Sequence, residues 1–154
     1  MQHNKIGWDV GGAHLKAAWI NEKGEVEAVF QEPCHLWQGM HTLEHALACI
    51  LRKLPATVEL HAITMTGELV DLFTTRAEGV AAIIKVMQML LPQQIMRIYA
   101  GRLGFLSPDS IKVEHIDAIA SANWLASASY IAQQLETGIF VDMGSTTTDI
   151  LLLQ

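Results

Sequence analysis

Apolar and polar residues alternate from residue 5 onward, and this two-residue period predicts three successive strands, over residues 5–10, about 15–20 and 25–30. Asn21-Glu22-Lys23-Gly24 turns the second into the third, so the three make an antiparallel meander. Residues 31–39, with Pro33 and Gly39, predict an irregular connector. The period then lengthens. Met40, Leu43, Leu47, Ile50, Leu51 and Leu54 recur at helical spacing and predict a helix over about 42–54, stopped by Pro55. Residues 58–65 predict a fourth strand. A helix follows over about 77–91, apolar on most sides and so largely buried, and ended by Pro92. Residues 95–100 predict a fifth strand and 101–109 a loop. One long helix rich in small residues is expected over about 116–136, and the chain closes on a further strand pair.

Composition narrows the class. The chain has 154 residues, 51% of them hydrophobic and 17% charged, which is enough for one domain with a real core. No apolar run reaches the roughly 18 residues of a membrane span. Met1-Gln2-His3-Asn4-Lys5 leads straight into a strand, so no signal peptide is expected. Cys34 and Cys49 alone suit a reducing cytoplasm. A net charge of −6 argues against non-specific nucleic-acid binding, which depends on neutralising phosphates. It leaves room for a small local phosphate site.

Such a site is suggested by a repetition. Ile6-Gly7-Trp8-Asp9-Val10-Gly11-Gly12-Ala13-His14-Leu15-Lys16 returns near the C-terminus as Ile139-Phe140-Val141-Asp142-Met143-Gly144-Ser145-Thr146-Thr147-Thr148-Asp149. Each copy runs a strand into an aspartate, a glycine turn and a second strand. Glycine is expected there because the turn must visit positive φ and bring its N–H groups close to a ligand. Gly11 and Gly12 in one turn, and Gly144, Ser145, Thr146 and Thr147 in the other, are the candidate phosphate cradle. Asp9 and Asp142 would repel a phosphate, but they suit Mg²⁺ held through water, while Lys16 supplies positive charge. A single copy reads equally well as a plain hairpin; the repetition points to two phosphate-binding turns.

Two other clusters carry candidate chemistry. His41 and His45, with Cys49 and the upstream Cys34-His35, have spacing compatible with zinc, but both histidines fall opposite the apolar stripe beside Arg52, so they predict a solvated face. Thr66, Glu68, Asp71 and Arg76 gather after strand four, at the kind of strand end where open α/β sheets bind ligands. Glu78 at a helix start reads as a complement to the helix dipole. Asn123-Trp124, inside the predicted long helix, reads as core and cap chemistry.

The paired hairpins resemble those of the actin-like ATPase, sugar kinase and Hsp70 superfamily, in which two related domains grip a nucleotide's phosphates from opposite sides of a cleft. That resemblance implies an α/β fold, a ribonuclease H-like actin-like domain with a mixed five-stranded sheet in the order 3-2-1-4-5 and flanking helices. Residues 1–137 would be the first domain and 138–154 the opening hairpin of a second, the remainder of which is absent. The chain would then be incomplete or inactive alone, and a homodimer or a complementing second-domain chain are the expected partners. An apolar strand over 150–153 at an open edge would favour such association.

Gly7-Trp8-Asp9-Val10-Gly11-Gly12-Ala13, Thr64-Met65-Thr66-Gly67-Glu68-Leu69-Val70-Asp71-Leu72-Phe73, Arg76-Ala77-Glu78-Gly79-Val80 and Ser121-Ala122-Asn123-Trp124, together with the second hairpin, are similar to hydantoinase/oxoprolinase-related proteins of tetrahydromethanopterin-linked one-carbon metabolism. The resemblance implies a transferase of methanofuran- or methylofuran-type cofactor biosynthesis. It would join a furfuryl diphosphate to the phenol of a glutamyltyramine-like acceptor and release diphosphate. Mg²⁺ is the implied cofactor, ATP is left open, and Glu68 or Asp71 is the candidate base, with Lys16 assisting catalysis. The competing readings are an ATP-dependent kinase or hydrolase of the same superfamily and a non-catalytic binding or regulatory domain.

Overall fold

In the computed structural model, residues 4–55, 58–91, 95–143 and 148–153 are described. Alternate residues of β1 (Asn4–Val10) and β4 (Val58–Met65) are buried, so Ile6, Trp8, Val10, His61, Ile63 and Met65 share one face of the sheet. Two helices cover that face. α1 (His41–Leu51) contributes Leu43, Leu47 and Ile50, and α2 (Arg76–Leu90) contributes Val80, Ile83 and Met87, all fully buried in a single core with the strands. Burying such side chains is worth about 1.5–3 kcal/mol each, which is why the strands keep this register.

The main sheet has the order β3-β2-β1-β4-β5-β6, with β2 (His14–Ile20), β3 (Val26–Pro33), β5 (Ile95–Tyr99) and β6 (Phe105–Leu106). β1 pairs antiparallel with β2 and parallel with β4, so the sheet is mixed. The predicted order 3-2-1-4-5 is present, extended by a sixth strand inside the stretch expected to be a loop. Gly104 adopts φ 74° and its carbonyl accepts from the Ala100 N–H at 2.8 Å, which folds the chain back. Phe105 then pairs with Tyr99, their rings 5.3 Å apart. Two residues are too few for a periodicity to register.

Boundaries shift where tertiary contacts decide. β3 runs on to Pro33, paired with His14. α1 ends at Leu51, and Lys53 and Leu54 make tight bonds back to Ile50 and Leu51 in place of a further α turn. On α2, Ala81, Lys85, Gln88 and Met89 are exposed, so that helix is buried on one side only, contrary to the expectation. The long helix of 116–136 is broken. α3 (Ile116–Ile119) stops at Ala120, whose ψ of 127° is extended, and α4 (Asn123–Ala132) starts afresh. Ser121 between them has φ 53°, and its hydroxyl donates to Glu68 Oε1 at 2.8 Å. A serine that finds such a partner outside the helix competes with helix continuation, and a run of small residues offers little to resist it. Asn123 consequently sits at a helix start, where its side chain accepts from the Trp124 N–H.

β7 (Gly138–Met143) and β8 (Thr148–Leu153) form a separate two-stranded sheet whose more buried face, with Phe140, Leu151 and Leu153, lies toward α4. Among the described residues no helix is long and apolar enough to cross a membrane.

Candidate functional site

The face of the main sheet opposite α1 and α2 carries a polar row one residue wide. Strand register places Gln31 beside Lys16, Lys16 beside Asp9, and Asp9 beside Thr64. All four line an open cavity of about 560 Å³. Lys16 Nζ lies 3.3 Å from Asp9 Oδ2, with the lysine side chain 56% exposed and the aspartate 29%. Asp9 Oδ1 is buried without a partner among the described residues, while Thr64 Oγ1 donates to the Trp8 carbonyl at 3.2 Å. The floor beside this row is made of small residues, Gly7, Ala18 and Ala62, and a Cβ on Gly7 would meet nothing within 4 Å.

The first turn is built differently from the expectation. Gly11 and Gly12 are not among the positive-φ residues. Their glycines serve close approach instead: a Cβ on Gly11 would lie 3.0 Å from the His14 carbonyl oxygen, and one on Gly12 2.8 Å from Val70 Cγ1. The end of β4 packs onto this turn. A Cβ on Gly67 would lie 3.2 Å from both the Gly11 and Val10 carbonyl oxygens, and the Thr66 N–H donates to the Val10 carbonyl at 3.0 Å. The two stretches singled out in the sequence, the first glycine turn and the strand-four end, are therefore brought together.

The carboxylates of that strand end diverge. Glu68 is 2% exposed and points inward. Oε1 accepts from Ser121, and Oε2 is buried with no partner among the described residues. Gly79 of α2 lies so close that a Cβ there would come within 2.8 Å of Glu68 Cα. Asp71 is exposed. Arg76 begins α2, and Glu78 belongs to its cap: the Thr75 side chain accepts from the Glu78 N–H at 3.2 Å, and Glu78 Oε2 accepts from the Thr74 N–H at 2.9 Å. The carboxylate thus serves a specific capping arrangement as well as the helix dipole.

In the second hairpin, Asp142 is half-buried in β7 and pairs across with Asp149, at the position where Asp9 faces Lys16 in the first. Gly144, Ser145, Thr146 and Thr147 lie outside the described residues, as do Met1 to His3 and Pro92. His41 and His45 are exposed on α1; Cys49 Sγ accepts from Arg52 at 3.2 Å, and Cys34 is buried, where desolvation raises its pKa.

Sequence reasoning missed two buried polar groups. Trp8 Nε1 donates to His61 Nδ1 at 2.9 Å, both residues being almost wholly enclosed. Burial lowers the His61 pKa to about 4, with a Val58 backbone hydrogen bond opposing part of the shift. Ser121 stands out in the sequence only as part of a motif. A positive φ on a non-glycine residue leaves no mark in a sequence.

Asp9 fits a magnesium site in its chemistry. Mg²⁺ keeps several waters and takes one or two carboxylates together with substrate phosphates, and Asp9 offers an enclosed oxygen with no hydrogen-bond partner among the described residues.

Comparison with known proteins adds a frame. Residues 59–154 match the hydantoinase/oxoprolinase family. The chain is 32% identical over 147 residues to the (4-{4-[2-(gamma-L-glutamylamino)ethyl]phenoxymethyl}furan-2-yl)methanamine synthase of Methanocaldococcus jannaschii. That alignment covers 95% of this chain and 42% of the relative, so the chain spans less than half the length of the curated protein it matches. In fold it is similar to a crystal structure described as a sugar kinase from Cytophaga hutchinsonii, with a TM-score of 0.54 at 15% identity, covering 97% of this chain and 47% of that one. The mixed sheet with helices on its buried face is consistent with an actin-like fold.

Proposed function

The chain belongs to the hydantoinase/oxoprolinase family, and on that premise we propose that it is the diphosphate-binding part of a transferase of methanofuran- or methylofuran-type cofactor biosynthesis. The observation that supports this reading is the similarity to a furan-methanamine synthase running through 95% of the chain. The name of that relative describes a phenol oxygen joined to a furan through a methylene group. Making that bond from a furfuryl diphosphate requires attack of the phenol oxygen on the furfuryl carbon. The carbon–oxygen bond to diphosphate breaks with its electron pair, and the phenol proton passes to a base.

The residues divide this work. Lys16 and the amides of the first turn beyond Gly11, whose own N–H is bonded to the His14 carbonyl at 3.0 Å, hold the departing diphosphate and stabilise its developing charge. Asp9 would hold Mg²⁺, which supplies further charge neutralisation when bound. An unperturbed phenol has a pKa of about 10 and needs a base at neutral pH. Glu68, enclosed at the strand-four end, suits that role better than the solvated Asp71. Asp142, at the position in the second hairpin that Asp9 holds in the first, would contribute to the same phosphate site. The setting proposed is cytoplasmic, with a second-domain polypeptide or a second copy completing the site.

A thermal-shift titration with Mg²⁺-diphosphate and Mg²⁺-ATP side by side tests the reading, since a ligand that binds the folded state raises its stability. Stabilisation by diphosphate at least equal to that by ATP supports it. The fold likeness to a sugar kinase favours a second reading, an ATP-dependent kinase or hydrolase, and a response to ATP alone would establish that one instead.

A further inference from the structure

A second cavity, of about 420 Å³, opens where the predicted long helix is broken. Its floor is small, with Gly101, Ala118, Ala120 and Ala122, and Trp124 forms a wall. Its volume suits a small organic ligand, and a small-residue floor beside an indole admits a flat ring. Arg102 and Asp117, both exposed and neither ion-paired among the described residues, supply one charge of each sign.

Ser121 lines this cavity and is the only non-glycine residue of positive φ among those described. A conformation of that kind costs about 1–3 kcal/mol and persists where surroundings hold it. Here the holding contact is the 2.8 Å bond to Glu68. The bond runs from the Ser121 hydroxyl to Glu68 Oε1, so the single Ser121 proton is committed inward. What the hydroxyl has left for a ligand is its lone pairs. The cavity therefore favours a hydroxyl that donates over an ether oxygen that only accepts.

We propose that this cavity binds the acceptor, a para-substituted phenol with a charged tail, and that Ser121 passes the phenol proton to Glu68. As the phenol oxygen bonds to carbon, its proton moves to Ser121 Oγ while the serine proton moves to Glu68 Oε1. The serine keeps a hydroxyl throughout, and the carboxylate is restored when Glu68 returns the proton through Ser121 to water. The same polarity favours release of the product, an aryl ether with no proton to donate. This deepens the transferase reading and rests on it for the identity of the second reactant.

The test is a comparison of dissociation constants for tyramine, its O-methyl ether and phenethylamine, measured calorimetrically on this chain. Tyramine is expected to bind about tenfold more tightly than either, the worth of one hydrogen bond. Ser121→Gly, which tolerates the backbone angle and lacks the hydroxyl, should bind all three alike. Glu68→Gln frees the serine to reverse its bond, so tyramine and its ether should come within about twofold of each other. If the wild-type chain shows no preference for tyramine, or if the variants weaken all three ligands in parallel, the assignment is overturned. A preserved tyramine preference with no response to Mg²⁺-diphosphate would overturn the transferase reading while leaving the phenol cavity standing.

Discussion

Trp8 and His61 form a buried pair across β1 and β4, the indole Nε1 donating to the imidazole Nδ1 at 2.9 Å with the ring planes 12° from parallel. An accepting Nδ1 places the proton of neutral imidazole on Nε2. Burial keeps the ring neutral down to about pH 4, against an ordinary value of 6.5. The unfolded chain therefore takes up a proton that the folded chain refuses. Stability from this group is complete above pH 6.5, falls as pH drops from 6.5 to 4, and levels off below, a difference of about 3 kcal/mol across the window. Urea unfolding at a series of pH values should show it. His61→Gln, which can still accept from Trp8, should lack that part of the slope.

Lys16→Met separates ligand binding from folding. Its pair with Asp9 is partly solvated, with the lysine end exposed, so unfolding free energy should change by about 1 kcal/mol or less. The thermal shift produced by Mg²⁺-diphosphate should disappear. A large loss of stability with an intact shift would remove Lys16 from the phosphate site.

The glycines make a contrasting pair. Gly79→Ala drives a Cβ to within 2.8 Å of the Glu68 backbone and of Phe73 Cδ2. Overpacking of this kind costs about 1–3 kcal/mol, which should outweigh the gain of about 1 kcal/mol in helix propensity. Gly7→Ala meets open space and should leave stability unchanged or slightly raised, while narrowing the floor beside Asp9. Denaturant midpoints for the two variants give the comparison directly.

Thr75→Ala removes the acceptor that caps α2 and should cost about 0.5–2 kcal/mol in urea unfolding. Because that helix closes on Glu68 through Gly79, the same variant should also reduce the preference for tyramine.

What could be read in advance follows from the range of the interactions. The Asp9–Lys16 facing pair was accessible because a hairpin relates residues seven apart by local geometry alone, and the strand-four end because apolar runs mark strand termini. The enclosure of Glu68 was not, since it depends on Gly79 and on Ser121, which is 53 positions away. The same separation hides Trp8 from His61. Ser121 sits among residues that suit a continuous helix, and only a distant carboxylate decides otherwise. The glycine turn was located correctly but for a different reason: Gly11 and Gly12 make room for neighbours and do not turn the chain through positive φ.

The facing positions of the two hairpins, Asp9 opposite Lys16 and Asp142 opposite Asp149, give the chain two ribbons that respond oppositely to ionic strength. Added salt weakens the attraction in the first and relieves the repulsion in the second. A dilute buffer therefore tightens the β1–β2 ribbon while straining the β7–β8 ribbon, and a concentrated one reverses the balance. Amide exchange in the two ribbons should change in opposite directions across a salt series.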